Sequence, residues 1–327
     1  MIILIWARES RMRTGGLQFV RKRANTGRQM TKKPPRCEIT FWGVRGSVPT
    51  PGAATVKYGG NTSCVEVRAD GEIIVLDAGT GIRPLGLELA REFNGAAIDI
   101  TLLITHTHWD HIQGFPFFLP AYEPKNTIHV LGFEGAAQGL GNTLAGQMES
   151  PYFPIALQQM PGNVLIEELQ SFHFQIGAVR AMATTVNHPG IAVGYRLETS
   201  TGSVAYLPDN EPFHEDQHGY SRERVDLQNR KLIEFIREVD VLIIDSQYDC
   251  DEYSAHIGWG HGCVDEVVRL AMLGEVKRLY LFHHDPGHDD ARIDAMLAHA
   301  RRLAKGSPLE VFAATEGEVV TLGKNGG

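Results

Sequence analysis

Four titratable side chains crowd into six positions of the stretch "ITHTHWDHIQGF": His106, His108, Asp110 and His111. They follow "IDITLLIT", a continuous apolar run that reads as a strand covered on both faces. So many polar groups at the end of a buried strand are costly unless something binds them. Two histidines one residue apart at a strand end can point to the same side and grip one ion. Asp110 and His111 sit where the loop turns into the next helix, facing a second point close by.

Other strand ends offer more of the same chemistry. "TTVNHPG" places His188 after a strand-like run, "VAYLPDN" places Asp209 after another, and "RLYLFHHDPGHDD" places His283 and His284 after a third. A lone histidine such as His129 or His173 reads as an ordinary strand or surface residue, but four strand ends closing in His or Asp read as a metal site. A single tetrahedral zinc needs about four ligands, fewer than these stretches supply. Nitrogen and oxygen donors without thiolates suit Zn, Mn or Fe. Two divalent ions about 3.5–4 Å apart can share a hydroxide and clamp both the attacked and the leaving oxygen. That suits a phosphodiester, whose non-bridging oxygens need their charge neutralised.

The elements that must position these groups alternate between strands and helices. "CEITFWG" (37–43) reads as a strand, and a Gly/Pro-rich loop follows it. "TSCVEVR" and "EIIVLDAG" flank "ADG" as a hairpin, and "GIRPLGLELAREFNG" has helical spacing ending in Asn-Gly. "TIHVLGF" is a strand, 135–148 a weaker helix, and several strands fill 163–207, with "IAVGYRLE" and "SVAYLPD" as hairpin partners. Helix 227–238, strand "VLIID", helix "CVDEVVRLAML", strand "RLYLF" and helix "ARIDAMLAHARRLA" follow, and "LEVFAA" is expected to pair with "EVVTL". Hairpins are too frequent for a doubly wound sheet. The pattern predicts an α+β fold, an αββα sandwich of two mixed sheets with helices outside.

The chain has 327 residues, 43% of them hydrophobic, enough for one large domain or two modest ones. No apolar run approaches the length of about 18 residues that would predict a membrane span. "MIILIWARES" is too short for a secretory leader, and its charges follow the apolar run rather than precede it. The four cysteines, at 37, 64, 250 and 263, lack a CxxC pairing, which suits a reducing cytosol and leaves a disulfide between distant ones open. Residues 1–36 carry ten Lys or Arg and one acid, Glu9; the remainder has 31 − 10 = 21 basic against 39 − 1 = 38 acidic residues, a net of −17. The expectation is a basic, disordered extension over 1–36, with Met30 as the natural start, and a single hydrolase domain over 37–327. An acidic body argues against broad RNA binding.

The H-x-H-x-D-H run formed by His106, His108, Asp110 and His111, with "LDAGTG" upstream, resembles the metallo-β-lactamase superfamily from about residue 38 to about 322. The resemblance implies that His106, His108 and His188 hold one metal. Asp110, His111 and His283 would hold the other, with Asp209 bridging and Asp77 ordering the metal loops through hydrogen bonds. "LFHHDP" aligns best when His283 takes the ligand place, which turns His284 the other way toward a supporting role; the alternative is His284 itself. Two divalent ions, Zn first and Mn or Fe as alternatives, are the implied cofactors.

The early loop "WGVRGSVPTPGAATVKYGGNTSC" resembles the opening of ribonuclease Z and of the phosphoribosyl cyclic phosphodiesterase, with Gly46, Ser47, Asn61, Thr62 and Ser63 in the corresponding places. "WGHGCVDEVVRLA" resembles the helix-opening segment whose histidine protonates the leaving oxygen in that branch, with Gly262 where Ser is usual. The implied function is hydrolysis of a small or cyclic phosphodiester through a dinuclear metal-bound hydroxide. Asp110 and His261 would be the catalytic residues, and His261 the general acid. The alternative is an iron-dependent persulfide dioxygenase or a glyoxalase II-like thioesterase on the same scaffold; lactam hydrolysis fits least. The insert 135–162 is Gly-rich with almost no positive charge and reads as a lid or dimer contact rather than an RNA-gripping arm. A large RNA is therefore the disfavoured partner; a cytoplasmic protein is expected, with a homodimer implied by the relatives.

Overall fold

The computed structural model describes residues 18–20, 36–133, 139–213 and 221–323. Two sheets pack face to face. A seven-stranded sheet runs in the order β15 (Val319–Leu322), β2 (Cys37–Gly43), β3 (Cys64–Ala69), β4 (Glu72–Leu76), β5 (Asp99–Ile104), β6 (Thr127–Gly132), β7 (Asn163–Glu168). The other sheet, of eight strands, runs β1 (Gln18–Val20), β8 (His173–Ile176), β9 (Val179–Thr185), β10 (Val193–Thr199), β11 (Gly202–Leu207), β12 (Val241–Asp245), β13 (Arg278–Phe282), β14 (Glu310–Ala313). Within each sheet an antiparallel half joins a parallel half: β4 to β7 are parallel in one, β11 to β14 in the other.

The central parallel strands, such as β5 and β12, are buried on both faces, which explains their unbroken apolar runs. Side chains alternate across a strand, so β4 sends Ile74 and Leu76 into the inter-sheet core and Val75 outward. On β12, Val241 and Ile243 face the other sheet while Leu242 and Ile244 face helices. One outer layer is α1 (Ile82–Phe93), whose Ile82, Leu85 and Leu89 cover Ile100 and Leu102 of β5. The opposite layer contains α4 (Arg222–Ile236), α6 (Val264–Leu273) and α7 (Asp290–Leu303), packed on β11 to β14. The predicted αββα sandwich is the fold. Among the described residues no helix is long and apolar enough to cross a membrane, and the four cysteines are free thiols.

One expectation changes. β14 and β15 do not pair: β14 extends the eight-stranded sheet beside β13, and β15 extends the other beside β2. The intervening turn crosses between the sheets, since Ala314 N donates to Leu281 O and, three residues on, Gly317 N donates to Phe41 O. The insert contains α3 (Gly139–Gly146) and puts Leu140, Leu144, Met148 and Met160 into the outer core with α1, a burial that anchors the segment. Within residues 1–36, Gln18–Val20 form an edge strand parallel to β8 and Arg36 pairs with Glu38; the others lie outside the described residues, as does the start of the expected helix 135–148.

Candidate metal centre

Parallel strands end on a common edge, and ligand sites in such sheets form beyond their carboxyl ends. Asp77 follows β4, His106 follows β5, Asp209 follows β11, Asp245 closes β12 and His283 follows β13. β9, which shares the direction of β11, delivers His188 to the same side. Helix α2 (Trp109–Ile112) turns Asp110 and His111 inward, and both are buried.

The expected donors form two adjoining groups, His106, His108, His188 and Asp209 in one and Asp110, His111 and His283 in the other, and a third, overlapping set joins Asp209 and His283 to His261; the atoms of each lie within 4.8 Å of one another. Asp209 divides its carboxylate between them. Its Oδ2 lies 3.6 Å from His106 Nε2 and 3.5 Å from His188 Nε2, while Oδ1 lies 3.0 Å from His111 Nε2 and 3.3 Å from His283 Nε2. Asp110 Oδ2 is 3.1 Å from His283 Nε2 and 3.2 Å from His111 Nε2, and accepts the Ser47 amide at 2.8 Å.

Whether these residues fit metal ions can be judged from what is left unsatisfied. His106 Nε2, His111 Nε2 and Asp209 Oδ1 are buried without an aligned hydrogen-bond partner, although the last two lie only 3.0 Å apart. Buried polar atoms are normally paired; three that converge call for a cation. Burial and neighbouring imidazoles push the pKa values of His106, His108 and His188 down, toward the neutral form that ligates. Burial works against charge on His111 as well, but Asp209, Asp110 and Asp77 raise its pKa. The same contacts, reversed, hold Asp110 and Asp209 below the usual carboxylate range against the opposing effect of burial. A bound cation would take over the positive charge that protons otherwise supply. The donor set fits divalent ions.

The surroundings hold these groups in place. Asp77 accepts from His111 Nδ1 at 2.8 Å, from the Thr105 amide at 2.8 Å and from Tyr206 Oη at 3.0 Å. His283 turns Nδ1 toward Gln247 Oε1 at 3.1 Å and Nε2 into the centre. His284 points the other way, donating Nε2–H to Ala314 O at 3.0 Å, and burial lowers its pKa to about 3. Asn61 lies away from the ligands: its side chain donates to Glu316 at 2.9 Å, and its carbonyl accepts from Val44 and Arg45, so it shapes the loop behind Ser47.

His261 belongs to the same place. Its Nδ1 donates to Asp245 Oδ2 at 2.8 Å, and its ring stacks on His283 at 5.0 Å. Burial opposes protonation, but Asp245 outweighs it and raises the pKa to about 9. The departure at Gly262 has a steric reason, because a Cβ there would lie 2.3 Å from the Asp245 carbonyl oxygen. Asp245, Gln247 and Glu211 were not among the residues the sequence singled out. Asp245 carried a usable signal, since it ends "VLIID" just as Asp209 and His283 follow their strands; Gln247 and Glu211 carried none.

A model of the beta-lactamase superfamily domain matches residues 73–284. Ribonuclease Z of Thermoplasma acidophilum is 24% identical over 299 residues, covering 81% of this chain and 91% of that protein. The short form of human tRNase Z superposes with a TM-score of 0.61 at 20% identity, over 88% of this chain and 100% of that one. Unliganded yeast PDE1 does so at 0.60 and 14% identity, over 89% and 100%.

Proposed function

The chain belongs to the beta-lactamase superfamily, and from that premise we propose that it is a dinuclear metal-dependent hydrolase of a small or cyclic phosphodiester. The observation that carries the reading is the division of Asp209, one oxygen toward each histidine group, beside the His261–Asp245 pair. His106, His108 and His188 would hold one ion, Asp110, His111 and His283 the other, and Asp209 both; the all-nitrogen-and-oxygen set suits zinc. Divalent ions there supply Lewis acidity and lower the pKa of water, so that a nucleophile is available at neutral pH.

The chain's own residues do the rest. The Ser47 amide donates to Asp110 and fixes the orientation of that carboxylate beside His111 and His283. Asp245 fixes one ring nitrogen of His261 and favours its protonated form, leaving the other to protonate the departing oxygen. The catalytic unit is the body from residue 37 onward, with Gln18–Val20 adding an edge strand.

The name of the Thermoplasma relative, ribonuclease Z, supports a second reading, cleavage of RNA at the same centre. Against it stand the net −17 of the body and the near absence of positive charge in 135–162, both poor for gripping a polyanion. The test is metal content on purified protein, with hydrolysis of bis(p-nitrophenyl) phosphate, cyclic nucleotides and a structured RNA such as a tRNA assayed on that sample. About two Zn per chain with turnover of cyclic nucleotides supports the first reading; cleavage of the RNA alone supports the second. One iron and no phosphodiester turnover would sink both.

A further inference from the structure

Glu211 is a buried carboxylate that none of the ligand groups uses. Its Oε1 accepts from Tyr253 Oη at 2.8 Å and from the Gly258 amide at 2.7 Å, and its Oε2 accepts from the Gly260 amide at 2.9 Å. Its own amide donates to Asn187 O at 2.9 Å, so it joins the ends of two ligand strands: Asn187 precedes His188, and Glu211 follows Asp209 by two residues.

Gly260 makes this arrangement consequential. Its amide is held by Glu211, and its carbonyl accepts from His188 Nδ1 at 2.8 Å. That bond places the proton on Nδ1 and leaves the Nε2 lone pair directed at the centre, 3.5 Å from Asp209 Oδ2. The position tolerates little else: Gly260 has φ of 89°, and a Cβ there would lie 2.4 Å from His188 Nδ1 and 2.3 Å from Pro189 Cδ. The next residue is His261. One glycine thus connects Glu211 to a candidate ligand on one side and to the candidate acid on the other.

We propose that Glu211 is a positioning residue that anchors the lobe 248–262, orienting His188 for metal through the Gly260 carbonyl and setting His261 against the centre. Buried carboxylates that accept several backbone donors fix loop geometry tightly, and supports of this kind around metal ligands are worth about 10–100-fold in affinity or activity. The part of the proposal that concerns His261 rests on the phosphodiesterase reading above; the part that concerns His188 does not.

The test compares Glu211→Gln and Glu211→Ala with wild type and with His261→Ala, all full-length and zinc-loaded. Zinc affinity is read by competition with a chromophoric chelator. Rates are read on bis(p-nitrophenyl) phosphate, whose leaving group needs no proton, and on a cyclic nucleotide, whose leaving group does. The expected result is zinc bound about 10–100-fold more weakly, with the cyclic-nucleotide rate falling at least about tenfold further than the nitrophenyl rate. Gly260→Ala, which leaves Glu211 intact, should reproduce the affinity loss. Wild-type affinity and an unchanged rate ratio in Glu211→Gln would overturn the proposal, even if its melting temperature fell. If His261→Ala itself leaves the rate ratio unchanged, or wild type turns over neither substrate, the phosphodiesterase reading is what fails. Zinc affinity then decides the role of Glu211 alone.

Discussion

Asp77 Oδ2 and His111 Nδ1 lie 2.8 Å apart, both side chains wholly buried, and that bond aims His111 Nε2 at the two carboxylates of the centre. The carboxylate also binds the Thr105 amide and Tyr206 Oη, so one side chain ties the end of β4 to the end of β5 and to the opposite sheet. Asp77→Asn keeps the volume but cannot offer two anionic oxygens. It should weaken zinc binding about 10–100-fold, as loss of a support around a metal ligand typically does. Asp77→Ala should also lower the melting temperature, because Tyr206 and Thr105 lose their buried acceptor. Chelator competition and thermal unfolding on the two variants check this; unchanged affinity in both would refute the orienting role.

Asp110 touches His111, His283 and the Ser47 amide, all polar groups of the centre. Asp110→Ala should therefore abolish turnover of every phosphodiester tested while leaving the far-ultraviolet circular dichroism near wild type. Zinc stoichiometry should fall toward one per chain. Persistent activity would mean that the second ion is not needed.

In the proposed mechanism His261, held by Asp245 at 2.8 Å, is the general acid, and such acids contribute about 10²–10⁴-fold where the leaving group is poor. His261→Ala should slow a cyclic nucleotide by a factor in that range and bis(p-nitrophenyl) phosphate far less. Asp245→Asn should show the same selectivity in weaker form. Equal slowing of both substrates would remove the acid role.

Much of this site was legible in the sequence because its donors sit at the ends of apolar runs. A strand buried on both faces leaves an unmistakable stretch such as "TLLI", and a titratable group just beyond it stands out. All seven expected donors fall in the two groups, and the structure separates His283 from His284, which spacing alone left open. What stayed hidden depends on distant partners. Arg45 is fully buried and donates to the carbonyls of Gly59, Asp285 and His288, the last two about 240 residues away. Backbone acceptors leave no residue-type pattern to read. The misplaced β14–β15 pairing has a similar cause, since alternation says which face of a strand is buried and nothing about which sheet it joins.

The last prediction concerns stability rather than catalysis. Asp240, just before β12, accepts from the Ser203 amide at 2.8 Å and from Lys277 Nζ at 2.6 Å, joining the entries of β11, β12 and β13. Burial would raise its pKa, but the Lys277 and Ser203 bonds prevail and the carboxyl lies below its usual value. A depressed folded-state pKa means that the stabilisation is fully present above the unfolded value, about 3.9, and is lost as pH falls through the folded one. Asp240→Ala should cost about 1 kcal/mol at pH 7, or roughly 1.5–2 °C in melting temperature for a domain of about this size. The gap to wild type should narrow as the pH drops below about 4, because wild type then protonates the same carboxyl. Melting curves of both proteins across that range decide the matter. A gap that stays constant with pH would show that the Asp240 charge contributes nothing beyond its hydrogen bonds.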